Sequence, residues 1–418
     1  MLTALNKEGK QITLVKSFHN KEIIERMRSE KYFCPICKES LILKAGHIRI
    51  PHFSHTRDSL CATFLAEPES PQHLKGKKNL FDFFMNEGLN VSLEHYLPEI
   101  KQRADLFVQF QSHSFAIEYQ CSPLSRSILE KRTKGYKSIG IEPLWIIGGK
   151  PYQKSRKDIY LLSDFNWAML RRKRKGGRHL LSYDTESKKF YLLSNITSFS
   201  QNKVSATLFS RQISTATLPL RFPQTSKSIN HTLWLQNKRK WLHHKVQNGN
   251  LVNDLFLKNI YTSGHNPFLL PPICGLPVQY MENFYSHPIE WQFLIYLECL
   301  RKIQVGKRIS LKYIYQKIQA WEKAGLIVIR NFPLDQINNW RNAVENYFSL
   351  LTELEYFSNL GEDLFEKEKQ IKIPHSIEEA TLWEDKVFQK LNNRSSNDSE
   401  IDESCFLFEY IAGFSKFK

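Results

Sequence analysis

One stretch, residues 103–148, constrains the fold of this chain more than any other. Its segment RADLFVQF predicts a strand that carries Asp105, and SFAIEYQCS predicts a second strand that carries Glu118 and Gln120. Side chains two positions apart on a strand point to the same face, and the short polar turn at residues 111–113 favours a hairpin. We therefore expect Asp105, Glu118 and Gln120 to meet at one end of one sheet face. Two carboxylates and an amide form the oxygen-rich kind of site that Mg²⁺ or Mn²⁺ prefers.

The segments around this hairpin predict the order helix, strand, strand, helix, strand. Residues 72–86 predict a preceding helix, residues 126–139 a following basic helix, and PLWII at residues 143–147 a buried closing strand. This order resembles the PD-(D/E)xK nuclease core, with Gln120 at the place of the usual lysine. The resemblance implies a mixed sheet flanked by helices. The alternative is that the acidic residues have no catalytic meaning, because many strands carry such residues.

Length and charge limit the classes of protein to consider. At 418 residues, the chain is longer than one usual domain and predicts two or three. Lys and Arg number 59 against 42 Asp and Glu, and the formal charge of +17 favours nucleic acid or an acidic surface as partner. No apolar run approaches the roughly 18–20 residues that cross a bilayer, and the first residues contain no apolar signal segment. Seven unevenly spread cysteines favour reduced thiols in the cytosol.

A pair of cysteines and a pair of histidines near the N-terminus predict a zinc site. The pattern is C-x2-C-x14-H-x2-H, and its four residues are Cys34, Cys37, His52 and His55. Two thiolates and two imidazoles are a tetrahedral Zn²⁺ set, which stabilises segments too short to build a core. His47 and Cys61 are spare candidate ligands. The alternative is a pair of free thiols beside a surface histidine cluster.

The N-terminal and central motifs together resemble a known family. CPIC and GHIRIPHFSH, followed by RADLFV, FAIEYQCS and LWIIG, are similar to the competence protein CoiA family of bacteria, over residues 1–149. The resemblance implies a cytoplasmic protein that is expressed with competence, acts on transforming DNA and promotes its recombination. It also implies a nuclease-like domain whose core carboxylates correspond to Asp105 and Glu118, with Gln120 in the third place.

A metal-dependent nuclease site of this kind assigns a role to each residue. Asp105 and Glu118 are expected to hold one Mg²⁺ or Mn²⁺ ion, helped by Glu94 from the preceding strand. Hydrolysis of a phosphodiester needs an activated water and stabilisation of the charge in the transition state. Gln120 is expected to position that water by hydrogen bonds, because an amide cannot supply the charge of a lysine.

Basic residues in two places are candidates for DNA contacts. Two helices flank the predicted hairpin, and RRKRK at residues 171–175 neutralises phosphates regardless of sequence. The candidates are Lys75, Arg126, Arg132, Arg171, Arg172, Lys173, Arg174 and Lys175. The alternative is an ordinary solvated helix face and a charged linker.

The overall prediction is an α/β (α+β) chain in four parts. A zinc-finger-like segment spans residues 1–65, a PD-(D/E)xK-like mixed sheet flanked by helices residues 66–165, a basic linker and hairpin residues 166–230, and a mainly helical domain residues 231–418. Two functions follow: a metal-dependent deoxyribonuclease acting on transforming DNA, or a DNA-binding recombination-accessory protein that uses the nuclease fold as a platform. The expected partners are single-stranded DNA or recombination intermediates, together with other competence or recombination proteins.

Overall fold

The structure is a computed structural model with three regions of different architecture. It describes residues 1–14, 21–46, 50–56, 58–59, 61, 69–150, 152–156, 158–172, 178–223, 229–335, 340–392 and 403–405. A small sheet at the N-terminus precedes a large mixed sheet flanked by helices, and a mostly helical region follows. The predicted fold class is thereby confirmed.

The N-terminal region combines five short strands and one helix. These elements are β1 (Thr3–Leu5), β2 (Gln11–Thr13), α1 (Lys21–Arg28), β3 (Tyr32–Phe33), β4 (Ser40–Lys44) and β5 (His52–Ser54). The antiparallel strands lie in the order β2-β1-β3-β4-β5. Tyr32 packs on Phe53 with ring centroids 4.8 Å apart, inside a cluster of small and medium apolar side chains. A core of this size commonly needs a further stabilising element such as a metal.

The central region is organised by one ten-stranded sheet. Its first elements are α2 (Pro71–Asn86), β6 (Asn90–Leu97), β7 (Gln102–Phe110), β8 (His113–Gln120), α3 (Arg126–Ser138) and β9 (Ile141–Gly148). They continue with β10 (Gln153–Arg156), β11 (Ile159–Leu161), α4 (Asp164–Ala168), β12 (Arg171–Arg172), β13 (Arg178–Asp184), β14 (Lys189–Ser198) and β15 (Lys203–Gln212). The strand order is β10-β11-β15-β14-β13-β9-β8-β7-β6, and β12 pairs with β13. The predicted order of helix, strand, strand, helix and strand corresponds to α2, β7, β8, α3 and β9, and β6, the strand that carries Glu94, lies between α2 and β7.

The sheet continues beyond residue 165, where the sequence predicted a domain boundary. β13 pairs with β9 in parallel, with Ser182 opposite Ile147, and then forms antiparallel pairs with β14. The predicted hairpin around residues 180–193 is therefore part of the central sheet. Its strand β13 is buried along its whole length, as expected for a central strand covered on both faces.

Helix α2 has local features that place it against the end of the sheet. The Ser70 side chain accepts a hydrogen bond from His73 N at 3.1 Å, and Pro71 occupies the first turn. Gly76 lies where the helix crosses β8: a Cβ atom there would be 1.9 Å from Cε1 of Tyr119. The close approach brings the residues on the same face of α2, His73 and Lys77, over the sheet.

The C-terminal region is mostly helical, with a small sheet. Its helices are α5 (His231–Asn248), α6 (Leu255–Thr262), α7 (Pro288–Leu294), α8 (Leu311–Lys323), α9 (Trp340–Glu353) and α10 (Ile377–Asn392). A π-helical segment, Ile295–Leu300, continues α7. The strands are β16 (Arg221–Pro223), β17 (Arg308–Ser310), β18 (Phe357–Gly361), β19 (Leu364–Lys367) and β20 (Glu403–Cys405), of which β16 pairs with β20. None of the helices in the described ranges has the length and apolar character needed to cross a membrane.

Two buried arginines join the central sheet to the C-terminal region. Arg178 on β13 donates to Asp335 Oδ2 at 2.6 Å and to Asn283 Oδ1 at 2.9 Å. Arg330 donates from its terminal nitrogen to Gln201 O at 3.1 Å. Charge-assisted contacts of this kind are geometrically specific. They therefore fix the orientation of the C-terminal region relative to the central sheet.

Candidate active site and metal centre

Three side chains, from a loop, a helix and a strand, form an acidic cluster at the start of α2. Glu69 precedes the helix, His73 lies in its first turn, and Asp105 comes from β7. One ligand atom from each lies within 4.8 Å of those from the other two. His73 Nε2 is 3.0 Å from Asp105 Oδ2, and the same oxygen accepts a hydrogen bond from Tyr119 N at 2.9 Å. Two carboxylates and an imidazole are a donor set that fits Mn²⁺ or a similar divalent ion.

A buried lysine lies among these carboxylates. Lys77 is fully buried on α2, and its ammonium donates to Glu69 Oε1 at 2.7 Å and to Glu94 Oε1 at 2.5 Å. Its Nζ is also 3.9 Å from Asp105 Oδ1. Arg103 adds a second cation, with NH2 3.4 Å from Glu69 Oε1. The acidic cluster therefore contains positive charge from the protein itself.

The electrostatics keep the carboxylates of the cluster ionised. Burial by itself raises the pKa of Asp105, but His73 and Lys77 outweigh it and hold that pKa well below its usual range. Burial likewise opposes ionisation of Glu69, and Lys77 is the main group that nevertheless lowers its pKa. Burial by itself lowers the pKa of Lys77, but Glu69 and Glu94 outweigh burial and raise that pKa above its usual value. Ionised carboxylates are the form in which these groups bind metal.

Glu94, predicted as an additional ligand, has a different role in the structure. Its side chain accepts hydrogen bonds from Leu2 N at 2.7 Å, from Thr3 N at 3.1 Å and from the Thr3 hydroxyl at 2.8 Å. With Lys77 as a further donor, both its oxygens are occupied by protein groups. Glu94 joins the N-terminal strand β1 to the central sheet, and it is outside the Glu69–His73–Asp105 cluster.

Glu118 and Gln120 also have protein partners. Glu118 is buried and accepts short hydrogen bonds from the Arg132 guanidinium and the Tyr136 hydroxyl. Burial is the main reason that its pKa is raised, against the opposing effect of Arg132. Gln120 Nε2 donates to Ser122 O at 2.8 Å. The structure therefore brings Asp105 together with Glu69 and His73, whereas Glu118 is not a member of this cluster.

The predicted DNA-contacting residues differ in their exposure and in the contacts that their side chains make with the protein. Lys75 is exposed on α2. Arg126 lies 3.9 Å from Asp164, and Arg132 is held by Glu118 and by Arg103 O. Arg171 and Arg172 belong to the short strand β12, where Arg171 NH2 donates to Pro143 O at 2.5 Å and the Arg172 guanidinium lies 5.9 Å from the Tyr280 ring. Residues 173–175, the rest of the predicted basic run, lie outside the described residues.

A second cluster, of thiols and an imidazole, lies in the N-terminal region. Its members are Cys34, Cys37, His55 and Cys61, whose ligand atoms all lie within 4.8 Å of one another. Cys37 Sγ is 3.4 Å from His55 Nε2. Burial lowers the pKa of His55, which keeps the imidazole neutral and able to ligate a metal. Three thiols and one imidazole are a usual structural zinc set.

His52 is the one predicted zinc ligand that this cluster does not include. Its Nδ1 lies 2.9 Å from Ile50 O. Successive residues of a strand face opposite ways, and His52 and His55 are an odd number of positions apart at the end of β5, so they do not share a face. Cys61, which the sequence offered as a spare ligand, lies in its place.

Three residues of the acidic site were not assigned to it from the sequence. Glu69 lies in a loop without a periodic pattern, and its only signal was its position before the helix cap at Ser70. His73 and Lys77 were visible as basic residues four apart on one face of a predicted helix. That spacing indicates a shared face, but not that the face covers Asp105.

The comparisons with known proteins agree with this architecture. Residues 16–64 match the family model for the N-terminal domain of competence protein CoiA, residues 69–225 its nuclease-like domain, and residues 229–381 its C-terminal domain. A curated relative, competence protein CoiA of Bacillus subtilis (strain 168), is 31% identical over 277 residues, which are 65% of this chain and 73% of the relative. No solved structure matches the chain.

These matches define first a class, a mixed α/β protein with a nuclease-like domain between an N-terminal and a C-terminal domain. The chain belongs to the competence protein CoiA family. The resemblance inferred from its motifs is confirmed.

Proposed function

We propose that this protein is a divalent-metal-dependent deoxyribonuclease that processes transforming DNA and promotes its recombination in the cytoplasm. The observation that carries the proposal is the half-buried cluster of Glu69, His73 and Asp105 on the nuclease-like domain. A phosphodiester carries negative charge, and its hydrolysis needs cations near the scissile phosphate and a positioned water. The cluster combines ionised carboxylates with cationic side chains, as this chemistry requires.

The metal proposed for this site is Mg²⁺ or Mn²⁺, held by Asp105 and Glu69 with His73 beside them. When bound, such an ion polarises a phosphoryl oxygen and lowers the pKa of a bound water. The hydrogen bond from Tyr119 N orients the Asp105 carboxylate, and a fixed orientation is what a metal ligand needs. Asp105 remains the central residue of the prediction, and Glu69 takes the place that the sequence assigned to Glu118.

Lys77 supplies the cation that the sequence motif lacks at Gln120. Its ammonium is 3.9 Å from Asp105 Oδ1, and the side chain of Gln120 is engaged by Ser122. A buried ammonium in this position is preorganised, so it costs little reorganisation when negative charge develops nearby. We therefore propose Lys77, and not Gln120, as the residue that stabilises the transition state.

A second candidate function is supported by the same lysine. Lys77 and Arg103 already balance much of the charge of Glu69, Glu94 and Asp105. A cluster that is balanced by the protein does not require an ion to be stable. The site then serves as a rigid part of a DNA-binding platform, and the protein is a recombination-accessory factor.

The experiment that separates these two functions measures binding and cleavage together. Mg²⁺ or Mn²⁺ is titrated into the purified protein with labelled single-stranded, double-stranded and branched DNA, for the wild type and Asp105→Asn. The matched control is Asp82→Asn, which changes a half-buried carboxylate of α2 that pairs with Lys78. Cleavage that needs the metal and is lost only in Asp105→Asn supports the nuclease. DNA binding without cleavage in all three proteins contradicts it and favours the accessory function.

For the N-terminal region we propose a structural zinc ion bound by Cys34, Cys37, His55 and Cys61. The support is the mutual proximity of the four ligand atoms in a region with a small core. The zinc would hold together segments that are far apart in the sequence, from β3 to the stretch after β5. The role of the zinc in the activity would be indirect. The backbone N–H groups of Leu2 and Thr3, in the same N-terminal region, donate hydrogen bonds to Glu94 beside the acidic cluster.

A further inference from the structure

A cleft of about 660 Å³ separates the central sheet from the C-terminal region, away from both clusters described above. One wall is the turn between β14 and β15, which ends at Lys203, together with the start of α4. The other wall is the face of α5 that carries Asn237, Lys240 and Trp241, together with Tyr285. The volume lies within the range of ligand-binding clefts, roughly 300–1,000 Å³.

Two lysines from different segments line this cleft. Lys203 is half-buried, and its ammonium donates to the neutral amide oxygen of Asn237 at 2.8 Å. Lys240 is exposed three residues after Asn237. Burial is the main cause that lowers the pKa of Lys203, and the positive charges of Lys240 and Arg156 lower it further.

The two carboxylates that line the cleft each have a cationic partner of the protein. Glu290 lies 3.1 Å from the ammonium of Lys245 and accepts a hydrogen bond from His287 N at 2.7 Å. Asp164 has the Arg126 guanidinium at 3.9 Å. Within the part of the chain that the structure describes, Lys203 and Lys240 form no ion pair. Repelling cations that no protein group neutralises are stabilised by an anion from outside.

The aromatic side chains of the cleft favour a nucleic acid over a simple anion. Trp241 stacks on His287, with ring centroids 4.0 Å apart and planes inclined by 12°. This stack holds the indole in one orientation at the same wall as Lys240, and Tyr285 lies on the wall with His287. Cations that follow a backbone beside aromatic rings on which bases stack are the combination found in proteins that bind single strands.

We propose that this cleft binds the backbone phosphates of a single nucleic acid strand through Lys203 and Lys240. The choice of nucleic acid as ligand rests in part on the proposed DNA-processing function, but the site is separate from the acidic cluster. The rim is open, because Ser163, Gln201 and Asn202 are exposed as well as Lys240. An open rim accommodates a strand that enters and leaves, whereas a single nucleotide is usually enclosed on most sides.

The test measures the binding of a labelled single-stranded oligonucleotide over a range of salt concentrations. All variants carry Asp105→Asn and no Mg²⁺ or Mn²⁺ is added, so that cleavage does not enter. The double variant Lys203→Ala/Lys240→Ala removes two phosphate contacts, each contributing roughly 0.7 to the salt slope for a single strand. We expect the slope to fall by about 1.4 and the affinity at 100 mM salt to fall by roughly 25-fold.

Two further double variants control for charge and for folding. Lys312→Ala/Lys323→Ala removes the same charge from exposed positions of α8 and is expected to bind as the parent does. Lys203→Arg/Lys240→Arg keeps the charge and is expected to retain the salt slope. Thermal unfolding of each variant confirms that the fold is intact.

Each other outcome overturns the proposal. Unchanged affinity and salt slope in Lys203→Ala/Lys240→Ala would show that the strand binds elsewhere. Absence of oligonucleotide binding in the parent would show that a single strand is not the ligand. If the double variant loses binding of dAMP or inorganic pyrophosphate but not of the oligonucleotide, the cleft is a small-anion site. None of these results depends on cleavage, so the nuclease proposal stands or fails separately, by the assay with Asp105 intact.

Discussion

The thiol cluster of the N-terminal region and the acidic cluster of the central sheet differ in where their positive charge comes from. Both are groups of potential metal ligands; the thiol cluster is mostly buried and the acidic cluster is half-buried. The acidic cluster contains the ammonium of Lys77 at hydrogen-bonding distance, and Arg103 beside it. The members of the thiol cluster are three thiols and one imidazole, a set that is usual for structural zinc. The cations of the protein thus balance the acidic cluster, whereas for the thiol cluster we propose a metal ion in that role.

The two clusters also differ in the protonation state of their side chains. Burial, together with the neighbouring thiols of Cys61 and Cys34, raises the pKa of Cys37 to about 12, so without a metal this thiol keeps its proton. The carboxylates of Glu69 and Asp105 are instead ionised, because Lys77 and His73 outweigh the effect of burial. Zinc binding at this cluster would therefore displace protons and would weaken as the pH falls. The geometry of the ligands alone does not indicate whether a cluster needs a metal.

The largest effect is expected from loss of the proposed zinc. Structural zinc sites contribute on the order of 10 kcal/mol of apparent binding energy, more than a region with this small core can lose. We expect Cys61→Ala to abolish stoichiometric zinc and to unfold the N-terminal region, as measured by metal content and thermal unfolding. His52→Ala is the matched control, because His52 lies outside the cluster. Zinc retained in Cys61→Ala but lost in His52→Ala would restore the ligand set predicted from the sequence.

The second prediction concerns the internal cation of the acidic cluster. Lys77→Met leaves buried carboxylates without their ammonium partner, and removal of one member of a buried ion pair typically costs about 3–5 kcal/mol. We expect a loss of that size in the free energy of unfolding by urea, partly restored by Mn²⁺. Lys75→Met, an exposed residue of the same helix, should change the stability by less than about 0.5 kcal/mol. Equal stability of the two variants would show that the cluster is not balanced by Lys77.

The third prediction follows from the pKa of Glu94. Burial raises this pKa, but Lys77, together with the N-terminal amine and Arg103, outweighs burial and lowers it from 4.5 to about 2. A carboxyl with a lowered pKa stabilises the folded protein at pH values above its unfolded pKa, and this stabilisation is lost as the pH falls through the folded value. The shift corresponds to about 3 kcal/mol.

Acid unfolding of Glu94→Gln provides the measurement. The stability difference between wild type and Glu94→Gln should be full at pH 6 and should shrink between about pH 4.5 and about pH 2. Because the other carboxyl groups titrate in both proteins, the pH dependence of this stability difference reports on Glu94. A difference that does not vary over that interval would contradict the ion pair with Lys77.

The smallest effect is expected from Glu118, the second carboxylate of the sequence motif. Since Arg132 and Tyr136 occupy it, Glu118→Gln should change the Mn²⁺ affinity by less than about threefold, whereas Asp105→Asn should weaken it by at least about tenfold. Isothermal titration with Mn²⁺ measures both. Equal losses in the two variants would support the pair of ligands that the strand pattern predicted.

Much of the central architecture could be predicted from local patterns. The helices at residues 72–86 and 126–139 and the strands between them follow from caps, periodicity and alternation, and the structure has them within two residues. The position of Asp105 at the acidic cluster also agrees with its place on the first strand of the hairpin. The continuation of the sheet beyond residue 165 was not predicted, because the parallel pairing of β13 with β9 joins strands that are about 35 residues apart.

By itself, the sequence determined the family, the fold class and most of the residue types from which each cluster is drawn. These depend on motifs and on the periodicity of neighbouring residues, which local stereochemistry controls. Only the tertiary structure decided that Glu69 joins Asp105, that Glu118 pairs with Arg132 and that Cys61 replaces His52 in the thiol cluster. The reason is physical: which of several ionisable side chains meet in a buried site depends on how helices and loops pack across the sheet, and packing between distant segments leaves no periodic signal in the sequence.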